Sequence, residues 1–519
     1  MKLLSITFAI LLIGSSFCPF KGYGQKTPVA IQTYFNQLAA LKQLNGNMLL
    51  ATSGRPVIVF SSGFADFNKQ KTNTSFSRFN LASISKIFTS TAILQLRDKG
   101  KLLLDEPLKK YISDFPFADV TIRHLLTHTS GLPDLELFED LVKQFPDTVA
   151  TNKDVIPELK KWKRGLNFKP GDKYQYCNTG YNLLAILIEK LSGIPFNDYL
   201  RENIFRPCGM ANTYVSLYSH FNEGDDPLVV TMHMQAHPRY DTTYVPVSYL
   251  TRFRYLVYNN QGTVGAGNVI STTADLLRFD RAFFAGRLLK KSSVNEAFLP
   301  VKLNDGTVYY SPSMDTIQGE GRMSYGLGWE ILEQPVYGRS VGHGGFKFGL
   351  ATYFLHNLDK DQTIIGFDNT AGPEFGQVIT SAQLLLNAAK PLPFRTKKSL
   401  VTAYGMALVQ KGPDHAASIF NALKSDTLNY YLNDWEMNDL GYHLFYAATF
   451  ADHQKLALEV FKLATFVFPD RFNPYDSYGQ LLRETGNRED AILMYRKSIQ
   501  LNPKNEDGIK ALNELLGTK

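Results

Sequence analysis

The stretch Asn80–Ser90, NLASISKIFTS, sets a serine and a lysine three residues apart. Ser83-Ile84-Ser85-Lys86 is the only Ser-x-x-Lys in the 519 residues. The apolar positions Ile84, Ile87, Phe88, Ile93, Leu94 and Leu96 keep helical spacing, and Gly100 is placed to stop the helix. Residues three apart share a helix face, so Lys86 can reach Ser83. At a helix N-terminus the serine's own N–H points toward incoming negative charge. A serine hydroxyl attacks only when a base takes its proton, and a lysine serves only where burial or nearby positive charge lowers its pKa. The same spacing suits an ordinary amphipathic helix with a lysine on its wet side, so other pieces must decide.

A second piece would be a tyrosine that hands the proton onward. Tyr-x-Asn begins at Tyr34, Tyr176, Tyr258 and Tyr431, so the bare pattern carries little. Context favours Tyr176-Cys177-Asn178, which falls after Pro170-Gly171 and just before an amphipathic helical run. That is a loop aimed by a rigid element, where catalytic side chains concentrate. A third piece would be a strand edge whose backbone N–H completes an oxyanion hole. SVGHGGFKFG supplies His343-Gly344-Gly345 between apolar runs, and its glycines permit close backbone approach to substrate.

In this order, Ser-x-x-Lys, Tyr-x-Asn and His-x-Gly resemble the serine β-lactamase and penicillin-binding-protein superfamily, in its class C-like branch with carboxylesterases and D-aminopeptidases. LLLDEPLKKYISDFP, TIRHLLTHTSGLP, IFRPCGM, GAGNVISTTADLLRF and YGLGWEI agree with it, and the similarity covers roughly residues 31–389. The resemblance implies that Ser83 forms an acyl-enzyme. It also implies that Lys86 and Tyr176 share the proton transfers and that Asn178 orients Lys86 and the substrate. The N–H groups of Ser83 and Phe346 would form the oxyanion hole beside Gly344 and Gly345, with His343 at the third-motif position. Many β-lactamases carry Lys-Thr-Gly there, and the lysine and threonine help hold the substrate carboxylate. His343 is mostly neutral at pH 7 and Gly344 has no hydroxyl, which points away from efficient β-lactam hydrolysis and toward ester, amide or peptide hydrolysis.

The rest of the chain fits an exported enzyme. Met1-Lys2 followed by the apolar run Leu3 to Gly14, then Gly22-Tyr23-Gly24, reads as a secretory signal, with a membrane anchor as the competing reading. Cleavage removes Cys18 and leaves Cys177 and Cys208, expected as free, buried thiols. Cys177 sits between two catalytic candidates but is assigned to packing. A net charge of +7 without a dense basic run argues against nucleic-acid binding.

The pattern predicts a helix over 31–44 and a hairpin across Ser53-Gly54-Arg55-Pro56 near the start of the chain, and strand patterns return over 326–370. Strands at both ends with helices between them indicate an α+β domain whose sheet joins its first and last parts. The resemblance implies an antiparallel sheet flanked by helices, with a helical subdomain. Beyond Pro391 the pattern is helical. Ala457, Phe461 and Pro469 recur 34 residues later as Ala491, Tyr495 and Pro503, the tetratricopeptide period. The expected division is a signal peptide over 1–24, a β-lactamase-like domain over 25–392 and a tetratricopeptide-like all-α domain over 393–519.

His124/His128 and His233/His237 have zinc-compatible spacing, but neither pair has the Glu of His-Glu-x-x-His or a third ligand, so no metal and no cofactor are expected. The Tyr-rich stretch 215–262 either wraps the cleft or is a surface insert. The function expected is a periplasmic or secreted serine hydrolase for a small ester, amide or peptide, peptidoglycan-derived peptides included. A D-Ala-D-Ala carboxypeptidase, a D-aminopeptidase or a weak β-lactamase is the nearest alternative. A catalytically silent wall-peptide scaffold is the alternative of another class. The helical repeats would bind a protein partner or a second copy, and no transmembrane span is expected after signal cleavage.

Overall fold

A computed structural model of the protein describes residues 26–217, 226–312 and 321–517. The signal-peptide reading at 1–24 lies outside the described residues.

The seven strands of the main sheet are β1 (Gly46–Thr52), β2 (Arg55–Ser62), β3 (Arg322–Tyr325), β4 (Glu330–Gln334), β5 (Gly338–Lys347), β6 (Leu350–Asn357) and β7 (Gln362–Asp368). Their order is β3-β4-β5-β6-β7-β1-β2, antiparallel throughout. The first hairpin of the chain thus docks on its last strand, β1 on β7, as the two-ended strand pattern requires. β4 pairs with β5 only over residues 338–342, so the His343 segment, residues 343–347, paired on its other side with β6, keeps a free edge toward the cleft, as the sequence reading expects. YGLGWEIL is not one strand but a turn from β3 into β4, with Gly328 at φ +85°.

Successive side chains of a strand point to opposite faces. In β1, Met48 and Leu50 pack with Ile31, Phe35 and Leu38 of helix α1 (Lys26–Ala40) and with Val378 and Ile379 of a second helix, Phe375–Leu386. Leu49 and Ala51 face the larger core, with Phe88 and Ile93 of α2 (Ser85–Asp98) and Leu183, Leu184 and Leu187 of α3 (Asn178–Ser192). The sheet is therefore sandwiched, and the helical subdomain on its second face carries the Ser83 and Tyr176 segments. Helix α1 ends four residues earlier than expected. Lys42 turns to φ +55°, and the chain then feeds buried Leu44 toward β1. Helix α2 stops where expected, with Gly100 at φ +70° and Lys101 N–H returning to the Leu96 carbonyl.

Residues 389–397 have no regular structure, and seven helices follow between Leu400 and Leu516. Ala457 and Phe461 are buried on helix His453–Val467, Ala491 and Tyr495 on Arg488–Leu501. Among the described residues no helix is long and apolar enough to cross a membrane.

Candidate active site

Ser83 lies in a single 3-10 turn, Ala82–Ile84, immediately before α2. The turn is entered sharply, with Ala82 at φ +46°, a conformation that costs energy outside glycine. Neighbours hold it there: Ala82 N–H donates to Asn80 Oδ1 (2.8 Å), and Leu81 N–H to the Val269 carbonyl (2.7 Å). Gly345 of β5 faces this turn. A Cβ at 345 would sit 2.2 Å from Thr352 Oγ1 and 2.5 Å from the Leu81 oxygen, so only glycine lets the strand approach the nucleophile.

Lys86 is fully buried, and its Nζ lies 3.0 Å from Ser83 Oγ, 2.7 Å from Asn178 Oδ1 and 2.9 Å from the Ala266 carbonyl. The amide and carbonyl oxygens can only accept; the hydroxyl can donate. A neutral amine satisfies all three, giving two N–H bonds to the oxygens and turning its lone pair to the Ser83 proton. The Lys86 ammonium is pulled down to about 7, chiefly by burial with Lys347 adding to it, while Asp134 opposes the shift.

Asp134 is the functional candidate that sequence reasoning missed. It accepts from Asn178 N–H (2.5 Å), Asn178 Nδ2 (3.0 Å) and Thr179 N–H (3.2 Å), so it anchors the start of α3 and fixes the Asn178 amide with its oxygen toward Lys86. Burial raises its carboxyl pKa, while these donors favour the anion. Its only sequence signal is its place directly after the phrase THTSGLP.

Tyr176 stands beside Ser83 at the cavity wall, and its ring lies 4.8 Å from Lys86 Nζ. Burial pushes its phenol well up, so it carries its proton at neutral pH. His128 packs against it at 4.2 Å and receives Cys177 N–H on Nδ1 (3.1 Å). His124 instead accepts Thr121 N–H in a helix cap (3.2 Å), so the two members of that pair serve separate structural ends. Cys177 and Cys208 are free and buried, and Cys177 Sγ rests on the carbonyls of Leu132 and Pro133.

His343 is buried with both ring nitrogens engaged. Nδ1 lies 2.6 Å from the Gly344 carbonyl, which can only accept, so Nδ1 bears the proton and Nε2 receives the Tyr325 hydroxyl (2.8 Å). Burial lowers its pKa and keeps the ring neutral. Glu330 closes this end of the site, accepting Gly344 N–H (3.2 Å).

A cavity of about 740 Å³ opens over these groups. Ser83, Tyr176, Asn178, His343, Gly344, Gly345 and Phe346 all line it, so the structure brings every sequence-predicted site residue except the deeper Lys86 to one cavity. The described part of the 215–262 stretch supplies Met232, Leu256, Val257 and Gln261 to the opposite side. It also reaches the C-terminal helices, where Arg239 pairs with Asp439 (2.8 Å) and Glu436 (3.2 Å). The stretch thus meets the cleft at Met232 and again from Leu256 to Gln261, and packs on the C-terminal helices between them at Arg239.

The profile of the family described as Beta-lactamase matches residues 31–388. The chain belongs to the beta-lactamase family. It is a serine hydrolase of the β-lactamase and penicillin-binding-protein kind. It is 34% identical to penicillin-binding protein 4* of Bacillus subtilis over 74% of this chain and 83% of that one. A D-aminopeptidase of Brucella anthropi is 30% identical over 35% of each chain. Among solved structures, an octameric penicillin-binding protein homologue of Pyrococcus abyssi superposes with a TM-score of 0.57 at 23% identity, covering 70% of this chain and 78% of that one. This family's fold accounts for the sheet and helical subdomain, and the C-terminal helices lie beyond the matched span.

Proposed function

We propose that the protein is an exported hydrolase that cleaves an ester or amide through an acyl-Ser83 intermediate. The observation that carries this reading is the buried Lys86 amine, 3.0 Å from Ser83 Oγ and held by two oxygens that can only accept. Neutral Lys86 takes the Ser83 proton as Oγ bonds to the substrate carbonyl carbon. The carbonyl oxygen becomes an oxyanion at the N–H groups of Ser83 and Phe346. As the tetrahedral intermediate collapses, Tyr176 gives its proton to the departing oxygen or nitrogen and regains one from Lys86. A water then attacks the acyl-serine, losing its proton along the same route, and the acid leaves with Ser83 restored. Asn178 and Asp134 position Lys86, and His343 braces β5 through Tyr325.

Peptides containing D-residues are the nearest alternative substrates, a reading favoured by the similarity to a D-aminopeptidase. β-Lactam turnover is expected to be slow, because His343 and Gly344 replace a cationic and a hydroxyl ligand. The domain division at 392, the tetratricopeptide-like repeats beyond it and a binding role for those repeats belong to the same proposal. Its support is the 34-residue recurrence and the burial of both aromatic members, Phe461 and Tyr495. Hydrolysis of a short-chain chromogenic ester, with Ser83→Ala alongside, tests the enzyme reading. Turnover lost in the variant supports it. A protein that neither turns over esters nor is captured by a fluorophosphonate at Ser83 would be a binding scaffold instead.

A further inference from the structure

Strand β5 carries a second lysine into the cleft. Lys347 lines the cavity, and its Nζ lies 2.5 Å from Gln261 Oε1 and 2.6 Å from Asn268 Oδ1. Both partners are neutral amides. Among the described residues Lys347 has no ion pair, and burial alone brings its ammonium down to about 7. An ammonium has three donors, so one remains for a group from outside. A partly buried cation without a countercharge is costly, and an incoming anion removes that cost.

Its place relative to the reaction is set by the strand. Residues 343, 345 and 347 share one face of β5, which stays in register with β6 throughout. The Ser83 turn packs over Gly345, at the middle. His343, with Tyr176 above it (ring centroids 6.3 Å apart), lies on one side of the nucleophile, and Lys347 lies on the other. The two ends are separated by about 13 Å of extended chain. Tyr176 protonates the leaving group, which therefore departs toward His343. The acyl portion must extend the opposite way, past Phe346 to Lys347, along apolar Leu256 and Val257. Asn268 is further tied to the nucleophile turn, since its Oδ1 also receives Asn80 Nδ2 (3.3 Å) and Asn80 holds Ala82.

We propose that Lys347, cradled by Gln261 and Asn268, is the specificity site for a carboxylate on the acyl portion of the substrate. The preferred substrates are then esters or amides of acids that bear a second, distal carboxylate, joined to the scissile carbonyl by an apolar spacer. This assignment rests on the acyl-serine reading for its direction along the cleft.

The test compares 4-nitrophenyl monoesters of adipate and pimelate with the same esters capped as methyl esters, at pH 7. The wild-type protein should prefer the free carboxylate by at least about ten-fold in kcat/KM, the scale of one charge-assisted contact. The ratio should fall toward one in Lys347→Met. It should also fall in Gln261→Glu, which supplies the missing countercharge from within and keeps the lysine. A wild-type ratio at or below one, or a preference surviving in both variants, overturns the proposal. Failure of the hydrolase reading is separable by calorimetry on Ser83→Ala, with the monobenzylamide of adipic acid and its methyl ester as ligands. Tighter binding of the free acid, lost on adding Lys347→Met, upholds the site even where no ester is turned over. Equal binding of the two ligands sinks it.

Discussion

The two walls of the cleft are built on opposite terms. The wall of Ser83, Lys86, Asn178 and Asp134 is a closed hydrogen-bond network in which each polar group has a partner of the right kind. The wall of Met232, Leu256, Val257 and Phe346 is largely apolar, and Phe346 stands 65% exposed at the mouth. Its one charge, Lys347, is held by amides alone. A proton can be moved reliably only where geometry is over-determined, whereas a pocket that sorts substrates needs surface left open for them. On the proposed mechanism the chemistry falls to α2 and α3, and the choice of substrate to the 215–262 stretch and the end of β5.

If that division is right, damage to the first wall should abolish turnover for every substrate. Ser83→Ala is expected to lower kcat by about a thousand-fold or more on all esters alike, measured by initial rates. Residual turnover near the wild-type rate would place the nucleophile elsewhere. Asp134→Asn should come next. It keeps the shape but replaces a triple acceptor, so Asn178 loses its fixed orientation, and kcat should fall about 10- to 100-fold while KM moves little. A change confined to KM would instead make Asp134 part of the substrate pocket.

Gly345→Ala attacks the seam between the walls. The added methyl has no room beside Thr352 and Leu81, and a loss of about 1–3 kcal/mol in denaturant unfolding is expected, with activity reduced as the Ser83 turn shifts. The smallest effect concerns pH. The proposed mechanism needs the neutral Lys86 amine, so kcat/KM on a neutral ester should rise with pH through about 7 and then level, because Tyr176 keeps its proton well beyond that point. Lys347 helps depress Lys86, so Lys347→Met should move this limb toward higher pH. The limb should stay in place in His343→Gln, since the His343 ring is already neutral.

Much of the first wall was legible in the sequence, because local periodicity and short motifs record it. Helical spacing placed Ser83 and Lys86 on one face, and a turn before an amphipathic run located Tyr176 and Asn178. Asp134 was not legible. Its partners are 44 and 45 residues away, and an aspartate in a loop has no period to betray it. Tyr325 and Glu330 both fall in YGLGWEI, but nothing local gives them a role, since their contacts depend on how β3 and β4 are set beside β5. Lys347 lay inside a motif already marked, SVGHGGFKFG, but its meaning comes from Gln261 and Asn268, some 80 residues earlier. The order of the strands is illegible for the same reason, being a non-local property, although the free edge at residues 343–347 agrees with the local pattern of small residues.

The hairpin formed by His233–His237 and Asp241–Pro246 carries a consequence for how the chain can be divided. A Cβ on Gly405 would lie 2.2 Å from the Arg239 carbonyl, so the first C-terminal helix is seated flush against the hairpin, and Tyr240 is buried in the helices' own core. A chain ending at residue 392 would strip that seat away. Arg239 would lose both carboxylates, Tyr240 would face water, and the loosened segment is the one that continues into Leu256, Val257 and Gln261. Proteolytic trimming of the helices would therefore be felt as a blurred discrimination among substrates, with the intrinsic reactivity of Ser83 left largely intact.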